Sequence, residues 1–203
     1  MPNWVSNTIT IYGDKEGLEQ IHTRLTADSE FQKREREHYE SEGDTPRAFS
    51  FSNLVCPPKE IWDEYFTTAS FPMPENNWYN WNNYNWNTKW DACEAEVELN
   101  PTNLTIRFET AWDKTGDELL DALVALVREH GGKSIGYWYE EEQGWGGEMW
   151  WDADLNTDHF RHTDNWDIPQ SHEDYEMRDK ECMCVLYPDD PLMSFPDCPK
   201  EEE

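Results

Sequence analysis

The chain has 203 residues, a length that suits one domain with an appendage and can bury an ordinary hydrophobic core. It carries 44 acidic and 16 basic residues, which gives a formal net charge of −28. This balance argues against direct binding of nucleic acid or of anionic membranes, because both rely on Lys and Arg to bind phosphate groups. The charge favours basic proteins as partners, including proteins that bind nucleic acid, and the alternative is that the acidity serves solubility alone.

Two features of the sequence indicate the cellular compartment: the length of its apolar runs and the number of its cysteines. No apolar run approaches the roughly 18 residues of a membrane-spanning helix, and no apolar segment follows a basic start as in a signal peptide. The five cysteines are Cys56, Cys93, Cys182, Cys184 and Cys198. An odd number without dense spacing is typical of a reducing compartment. We therefore expect a cytoplasmic protein.

The N-terminal part alternates between strand and helix patterns. Residues 4–12, WVSNTITIY, alternate apolar and polar side chains as a half-buried strand does. Asp14 can cap a following helix. The apolar residues of that helix, at helical spacing, are Leu18, Ile21 and Leu25. The charged segment 30–43 predicts a helical continuation or a solvated loop, and residues 48–55, AFSFSNLV, predict a short strand. A brief amphipathic helix is predicted around residues 61–66.

The clearest pattern is a hairpin at residues 94–109. Residues 94–99 and 104–109 each alternate apolar and polar side chains, and residues 100–103, NPTN, supply the turn. Residues 117–132 predict an amphipathic helix to cover the apolar face, and SIGYWYEEE then predicts a strand. This order of elements predicts an α+β, ferredoxin-like sandwich, in which an antiparallel sheet carries its helices on one face.

The charge is concentrated toward the C-terminus. Residues 152–203 contain 16 acidic and 4 basic residues, a net charge of −12, together with several prolines and little periodicity. This composition predicts an irregular, partly ordered acidic extension. We therefore divide the chain into a ferredoxin-like domain at residues 1–151 and an acidic extension at residues 152–203.

Four segments in order carry a resemblance to a known family. They are MPNWVSNTITIYG, SFSNLVCPP, a tryptophan-rich stretch that ends in NTKWDA, and RFETAW followed by a helix. The series resembles the YubB-type ferredoxin-like proteins of bacteriophages and conjugative plasmids, over roughly residues 1–151. The resemblance implies the fold, a mobile-element origin and a bacterial host cytosol, and it implies no enzymatic activity. Val5 stands where many relatives are expected to have Cys, so a thiol has no role there.

The most unusual stretch is WYNWNNYNWNTKW, at residues 78–90. Because NTKWDA belongs to the family pattern, we interpret the stretch mainly as an aromatic wedge against the sheet. Its asparagines suit a loop that bonds its own backbone. The alternatives are a protein contact and stacking on a sugar or a base, and base stacking lacks a basic groove. The tryptophans that would make such contacts are Trp78, Trp81 and Trp86.

A second unusual segment is YWYEEEQGWGGEMWWDAD, at residues 137–154. Its glycines predict a hairpin turn between aromatic flanks, and GWGGE lacks the Lys and the Ser or Thr of a phosphate-binding loop. Its acidic and aromatic side chains, with those that follow, are further candidates for a protein contact. These candidates are Glu140, Glu141, Glu142, Trp145, Asp152, Asp154 and Asp158.

Clustered carboxylates, histidines and cysteines are candidates for metal binding or acid–base catalysis, as an alternative to protein binding. The DxD pair of Asp152 and Asp154, beside Glu148 and the glutamates at 140–142, is a candidate site for Mg²⁺ or Ca²⁺ or for acid–base work. The alternative is a solvated face, because such pairs arise by chance in an acidic chain. Candidate zinc ligands are His159, His162, Cys182, Cys184 and Cys198. No GxSxG, HExxH, CxxC or dinucleotide motif is present, so we predict no catalytic residue and no cofactor.

Together these patterns predict an accessory protein of a phage or plasmid. It would bind a basic host or rival protein through its acidic surface and aromatic loops, as a nucleic-acid mimic or inhibitor. One alternative is a metal-assisted hydrolase or transferase that uses the clustered carboxylates. Another is a carbohydrate or small-ligand module that uses the tryptophan-rich stretch.

Overall fold

The computed structural model describes residues 3–39, 47–61, 63, 77–155 and 158–177. The strands are β1 Trp4–Tyr12, β2 Cys93–Leu99, β3 Asn103–Ala111, β4 Ser134–Glu141, β5 Gly146–Asp152 and β6 Arg161–Trp166. The helices are α1 Lys15–Leu25, α2 Glu30–Tyr39, α3 Trp78–Asn85, α4 Asp117–Glu129 and α5 His172–Met177. Short 3₁₀ turns occupy Phe51–Asn53 and Ala153–Leu155.

The strands form one six-stranded sheet in the order β2-β3-β1-β4-β5-β6, and every neighbouring pair is antiparallel. The first four strands, with α1 after β1 and α4 after β3, reproduce the β-α-β-β-α-β order of a ferredoxin-like fold. The predicted α+β class is therefore confirmed. Within the described residues no helix is long and apolar enough to cross a membrane.

Strand β1 determines which face of the sheet is buried. Its odd-numbered residues are buried, and Val5 and Ile11 are both 0% exposed. The apolar residues of α1 and α4 belong to the same core cluster as these side chains. Helices α1 and α4 therefore cover the same face of the sheet, as the alternation in the sequence predicts. Asp14 caps α1 as expected, and its Oδ1 accepts a hydrogen bond from Gly17 N at 3.0 Å.

Two antiparallel hairpins complete the sheet. The β2–β3 hairpin turns at residues 100–102, and the β4–β5 hairpin turns at residues 142–145, so both predicted hairpins are confirmed. Gly144 in the second turn has φ +96°, a conformation that favours glycine. Strand β6 was not predicted, because its sequence, RHTDNW, lies in the segment expected to be irregular. It pairs with β5 and extends the sheet beyond residue 151.

The segment at residues 48–55 is not the short strand that its apolar run predicts. It forms a 3₁₀ turn at Phe51–Asn53, capped by Ser50. Its backbone is bonded by side chains instead of by a neighbouring strand: Phe51 N donates to Asp91 Oδ1 at 2.7 Å, and Ser52 N donates to Ser50 Oγ at 3.2 Å. Side-chain acceptors, one from neighbouring Ser50 and one from distant Asp91, therefore replace a strand partner here.

Two further predictions concern helices between β1 and β2. The charged segment from residue 30 is helical, as one of its two interpretations predicts, and forms α2. In the helix predicted around residues 61–66, Ile61 is buried and its N–H donates to Pro58 O at 2.9 Å. Trp62, Tyr65 and Phe66 lie outside the described residues.

The tryptophan-rich stretch is a helix followed by a wedge into the core. Trp86 is 1% exposed, its Nε1 donates to Val55 O at 2.9 Å, and its ring packs against Phe51 and Phe31. The structural interpretation is thereby confirmed for Trp86. The prediction that Trp86 contacts a partner protein is wrong, because its indole is enclosed by the core.

The asparagines in and beside this stretch bond backbone groups, although residues 78–85 form a helix and not the predicted loop. Asn77 caps α3 by accepting a hydrogen bond from Asn80 N at 2.9 Å. Asn82 Nδ2 donates to Lys89 O at 2.9 Å, and Asn87 Nδ2 donates to Lys114 O at 3.2 Å. These amides fix the path of residues 86–90 beneath the end of β3.

A buried polar network joins three strands to the loop before α4. The Tyr137 hydroxyl donates to Asn7 Oδ1 at 2.6 Å, and it accepts from Thr115 Oγ1 at 2.9 Å and from Thr115 N at 3.1 Å. Asn7 Nδ2 donates to Thr110 Oγ1 at 2.9 Å. Complete burial raises the pKa of Tyr137, so its hydroxyl keeps its proton and remains a donor.

We expect Tyr137→Phe to lower the free energy of unfolding by about 1–3 kcal/mol, because it leaves Asn7 Oδ1 and Thr115 N buried without their hydrogen-bond partner. Thermal and urea unfolding of both proteins measure this difference. Tyr84→Phe is the matched control, since Tyr84 is 79% exposed and should change stability little. Equal unfolding curves for Tyr137→Phe and wild type would contradict this role of the network.

Candidate functional site

The sheet face opposite α1 and α4, here called the open face, carries the even-numbered residues of β1. Antiparallel partners point to the same face, so the strand register shows which side chains meet there. Ser6 lies between Glu109 on β3 and Glu140 on β4. Thr8 lies between Arg107 and Trp138 in the next row. A central strand with small polar side chains is thus bordered by larger charged and aromatic ones.

The open face is predominantly acidic. Its acidic strand residues, assigned from the register, are Glu96, Glu98, Glu109, Glu140, Glu148, Asp152 and Asp164. Its basic strand residues are Arg107 and Arg161. Arg107 makes an exposed ion pair with Glu98, with a closest N–O distance of 3.5 Å. Acidic side chains therefore outnumber basic ones on this face, which favours contact with a positively charged surface.

A pocket of about 290 Å³ lies on this face, here called the acidic pocket. Its lining residues are Trp4, Ser6, Glu109, Trp138, Glu140, Glu141 and Glu142. Ser6 occupies the floor, with Glu109 and Glu140 on the two neighbouring strands. Trp4 lies two residues before Ser6 on β1, and Trp138 pairs with Thr8 two residues after it. The pocket therefore has carboxylates across the strands and an indole at each end along them.

The Trp4 wall is supported by the end of the tryptophan-rich stretch. The Trp4 ring stacks on Trp90 at 6.0 Å between centroids, and Trp90 stacks on Trp112 at 6.5 Å. Lys89 Nζ lies 4.4 Å from the Trp90 centroid and 5.4 Å from the Trp112 centroid. Trp112 has φ +77°, a rare conformation for a bulky residue. The NTKW motif thus contributes to the pocket indirectly, by positioning Trp4.

Glu109 lies in an unfavourable electrostatic environment. Burial raises the pKa of its carboxyl, and the nearby carboxylates of Glu94 and Glu142 raise it further. In the described part of the chain no ion-pair partner faces Glu109. A cation placed beside it would therefore relieve repulsion as well as gain attraction.

Glu141 is the buried member of the pocket lining. It is 2% exposed, and its Oε2 accepts a hydrogen bond from Gln143 N at 2.6 Å. Its Oε1 is also buried and has no hydrogen-bond partner among the described residues. Glu141 is thus too buried for the direct partner contact predicted for it, which corrects that prediction. It pairs with buried Val5, so its side chain lies on the core face of the sheet.

The predicted contact residues fall into separate groups. Glu140, Glu141 and Glu142 line the acidic pocket, whereas Asp152 pairs with Ser134 at the far end of the β4–β5 hairpin. Exposed Asp154 donates its N–H to Asp152 Oδ1, and Asp158 makes an ion pair with Arg128. The predicted grouping of Asp152 and Asp154 with the glutamates at 140–142 is therefore wrong. Glu140 lies six positions along β4 from Ser134, the partner of Asp152, which is a distance of about 20 Å.

The aromatic contact candidates are also dispersed. Trp145 and Trp81 are partly buried against the core, and Trp81 packs edge-on against Trp86 at 5.3 Å. Trp78 contacts the ring of Tyr79. A pocket of about 570 Å³ beside α3 is lined by Trp81 and by exposed Tyr84, but by neither Trp78 nor Trp86. The three tryptophans therefore do not form the single stacking platform predicted for a sugar.

Of the five predicted zinc ligands, only His159 has a side chain among the described residues. His159 Nδ1 lies 3.2 Å from Asp121 Oδ1, on the exposed surface. The side chain of His162, and the cysteines at 182, 184 and 198, lie outside the described residues. In the ranges that the structure describes, no group of three His, Cys, Asp or Glu residues is arranged to hold a metal ion. The described residues therefore do not form the predicted divalent-cation site, and the predicted zinc site falls mainly outside them.

Four residues of the acidic pocket were not predicted from the sequence. They are Trp4, Ser6, Glu109 and Trp138. Trp4 and Trp138 carried one usable signal, because each stands at a polar position in the alternation of its strand. Ser6 and Glu109 carried none, since a serine or glutamate is ordinary on a solvated strand face.

Comparison with known proteins supports the fold of this chain but does not indicate its function. No protein-family model and no curated protein matches the sequence. The structure is similar to the crystal structure of the protein api92 from Yersinia pseudotuberculosis, described with the family model DUF1281. The TM-score is 0.53 at 10% sequence identity, over 83% of this chain and 99% of api92. At this identity the similarity shows a shared fold alone.

Glu109→Gln should raise thermal stability at neutral pH. A carboxyl whose pKa is raised by folding opposes folding when it ionises, so its loss stabilises the protein above that pKa. Because Glu109 is only partly buried, we expect an increase of about 1–2 °C in Tm at pH 7.

The gain should shrink as the pH falls and disappear below about 4, where the carboxyl becomes mostly protonated in both the folded and unfolded states. Melting curves across this pH range check the prediction, with Glu129→Gln on the exposed surface of α4 as control. A Tm that falls at pH 7 would contradict the electrostatic environment described for Glu109.

Proposed function

We propose that this chain is an accessory protein of a phage or plasmid that binds a basic protein through its open face. The observation that carries the proposal is the placement of Glu109 and Glu140 on either side of Ser6, between Trp4 and Trp138. Carboxylates and indoles that share one rigid strand surface are suited to a positively charged partner.

The two kinds of side chain would serve different steps of binding. Carboxylates attract a basic partner over several ångströms and raise the association rate, in a manner that salt weakens. Indoles exclude water at short range and lower the dissociation rate, which is why Trp is common among residues that dominate binding energy. Held on paired strands, these side chains lose little further freedom on binding.

A basic protein that itself binds nucleic acid is the partner class we favour. The net charge of −28 opposes phosphate binding by this chain and favours the surfaces that phosphates normally occupy. The chain would then act as a nucleic-acid mimic, and its effect on the partner would be inhibition.

Two triple variants with the same loss of charge test the proposal. The first, Glu96→Gln with Glu109→Gln and Glu140→Gln, neutralises the open face. The second, Glu16→Gln with Glu118→Gln and Glu129→Gln, neutralises exposed positions on α1 and α4. Each protein, immobilised beside wild type, is used to capture proteins from a bacterial lysate, with elution by a salt gradient and mass spectrometry.

We expect one basic nucleic-acid-binding protein to be captured by wild type and by the helix variant, and to be lost with the open-face variant. Duplex DNA added to the captured partner should release it if the chain is a mimic. Equal capture by the two variants would show that bulk charge, and not the open face, causes binding, and would overturn the proposal.

A further inference from the structure

We infer that the acidic pocket holds one arginine side chain of the partner. This inference rests on the proposed function and names the chemical group that the open face recognises. Arg differs from Lys in having a planar guanidinium that bonds carboxylates along its edges and stacks on aromatic rings with its faces. The pocket offers both kinds of contact.

The shape of the pocket is set by three strands. Neighbouring strands lie about 4.8 Å apart, so the backbones of Glu109 and Glu140 are separated by about 10 Å across β1. Ser6 has the small side chain that leaves this gap unfilled. The volume of about 290 Å³ suits one side chain, because sites for whole small molecules usually begin near this size.

The ends of the pocket favour a flat cation. Trp4 and Trp138 close it along the strands, and stacking on Trp90 restrains the Trp4 ring. A guanidinium between them can lay a face against an indole while its N–H groups reach the flanking carboxylates. An ammonium is compact and strongly hydrated, so it would gain less from the same walls.

The carboxylate of Glu109 provides further support for a cationic occupant. Glu109 makes no ion pair in the described part of the chain, and the carboxylates of Glu94 and Glu142 lie near it. The chain already uses the same chemistry nearby, where Lys89 Nζ lies over the Trp90 ring.

The test is a titration of ¹⁵N-labelled protein with N-acetyl-arginine amide, followed by NMR through the indole N–H signals. N-acetyl-lysine amide and N-acetyl-citrulline amide are the comparison probes. We expect shifts centred on Trp4 and Trp138, and a dissociation constant for the arginine probe of about 1–10 mM, since the probe is small. The lysine probe should bind at least about fivefold more weakly, and the neutral citrulline probe should not bind measurably.

Three single variants separate shape from charge. Ser6→Ile fills the floor and leaves every charge in place, and Glu109→Gln removes one wall charge and leaves the volume nearly unchanged. Both should weaken arginine binding about fivefold or more. Glu118→Gln, on α4, should leave it unchanged. A melting curve for each variant shows whether it remains folded.

Two results would overturn this inference. Equal affinity for the arginine and lysine probes would show a general acidic surface, and undiminished binding to folded Ser6→Ile would place the site elsewhere. Neither result would refute the proposed function, which fails only if the open-face triple variant captures the basic partner as well as the helix variant does. The two ideas can therefore fail separately.

Discussion

The pairing of β1 on both of its edges is the constraint on which the rest of the molecule depends. Because β1 lies between β3 and β4, its alternating side chains must serve two surfaces at once. The odd-numbered residues enter the core beneath α1 and α4, and the even-numbered residues form the floor of the open face. A shift of one residue in register would therefore destroy the core and the acidic pocket together.

The same strand carries the buried polar network. Asn7 is enclosed among apolar residues, and it is tolerated because Tyr137, Thr110 and the backbone satisfy its amide. The network links β1 and β4 to the loop that begins α4, which fixes the relative positions of β1, β3 and β4 near Ser6. The open-face residues lie directly above this network, so core polarity and site geometry share one support.

The tryptophan-rich stretch serves two purposes on the two faces. Trp86 fills the core beneath the sheet, whereas Trp90 stacks on Trp4 at the edge of the open face. Residues four apart in the chain thus stabilise opposite surfaces, because Thr88 between them bonds both the N–H and the carbonyl of Ala111 at the end of β3. The unusual composition is explained mainly by these packing roles. Its contribution to binding is through the position of Trp4.

The sequence by itself determined the strands β1 to β5 and the helices α1 and α4, together with the buried faces of β1, β3, α1 and α4, because these follow from local alternation and helical spacing. It did not determine the 3₁₀ turn at residues 51–53, whose backbone depends on Asp91 from a distant segment, nor strand β6. The acidic pocket, in contrast, is formed only by the tertiary structure. Its residues come from β1, β3 and β4, and side chains more than 100 residues apart become neighbours only when the strand order and register are set.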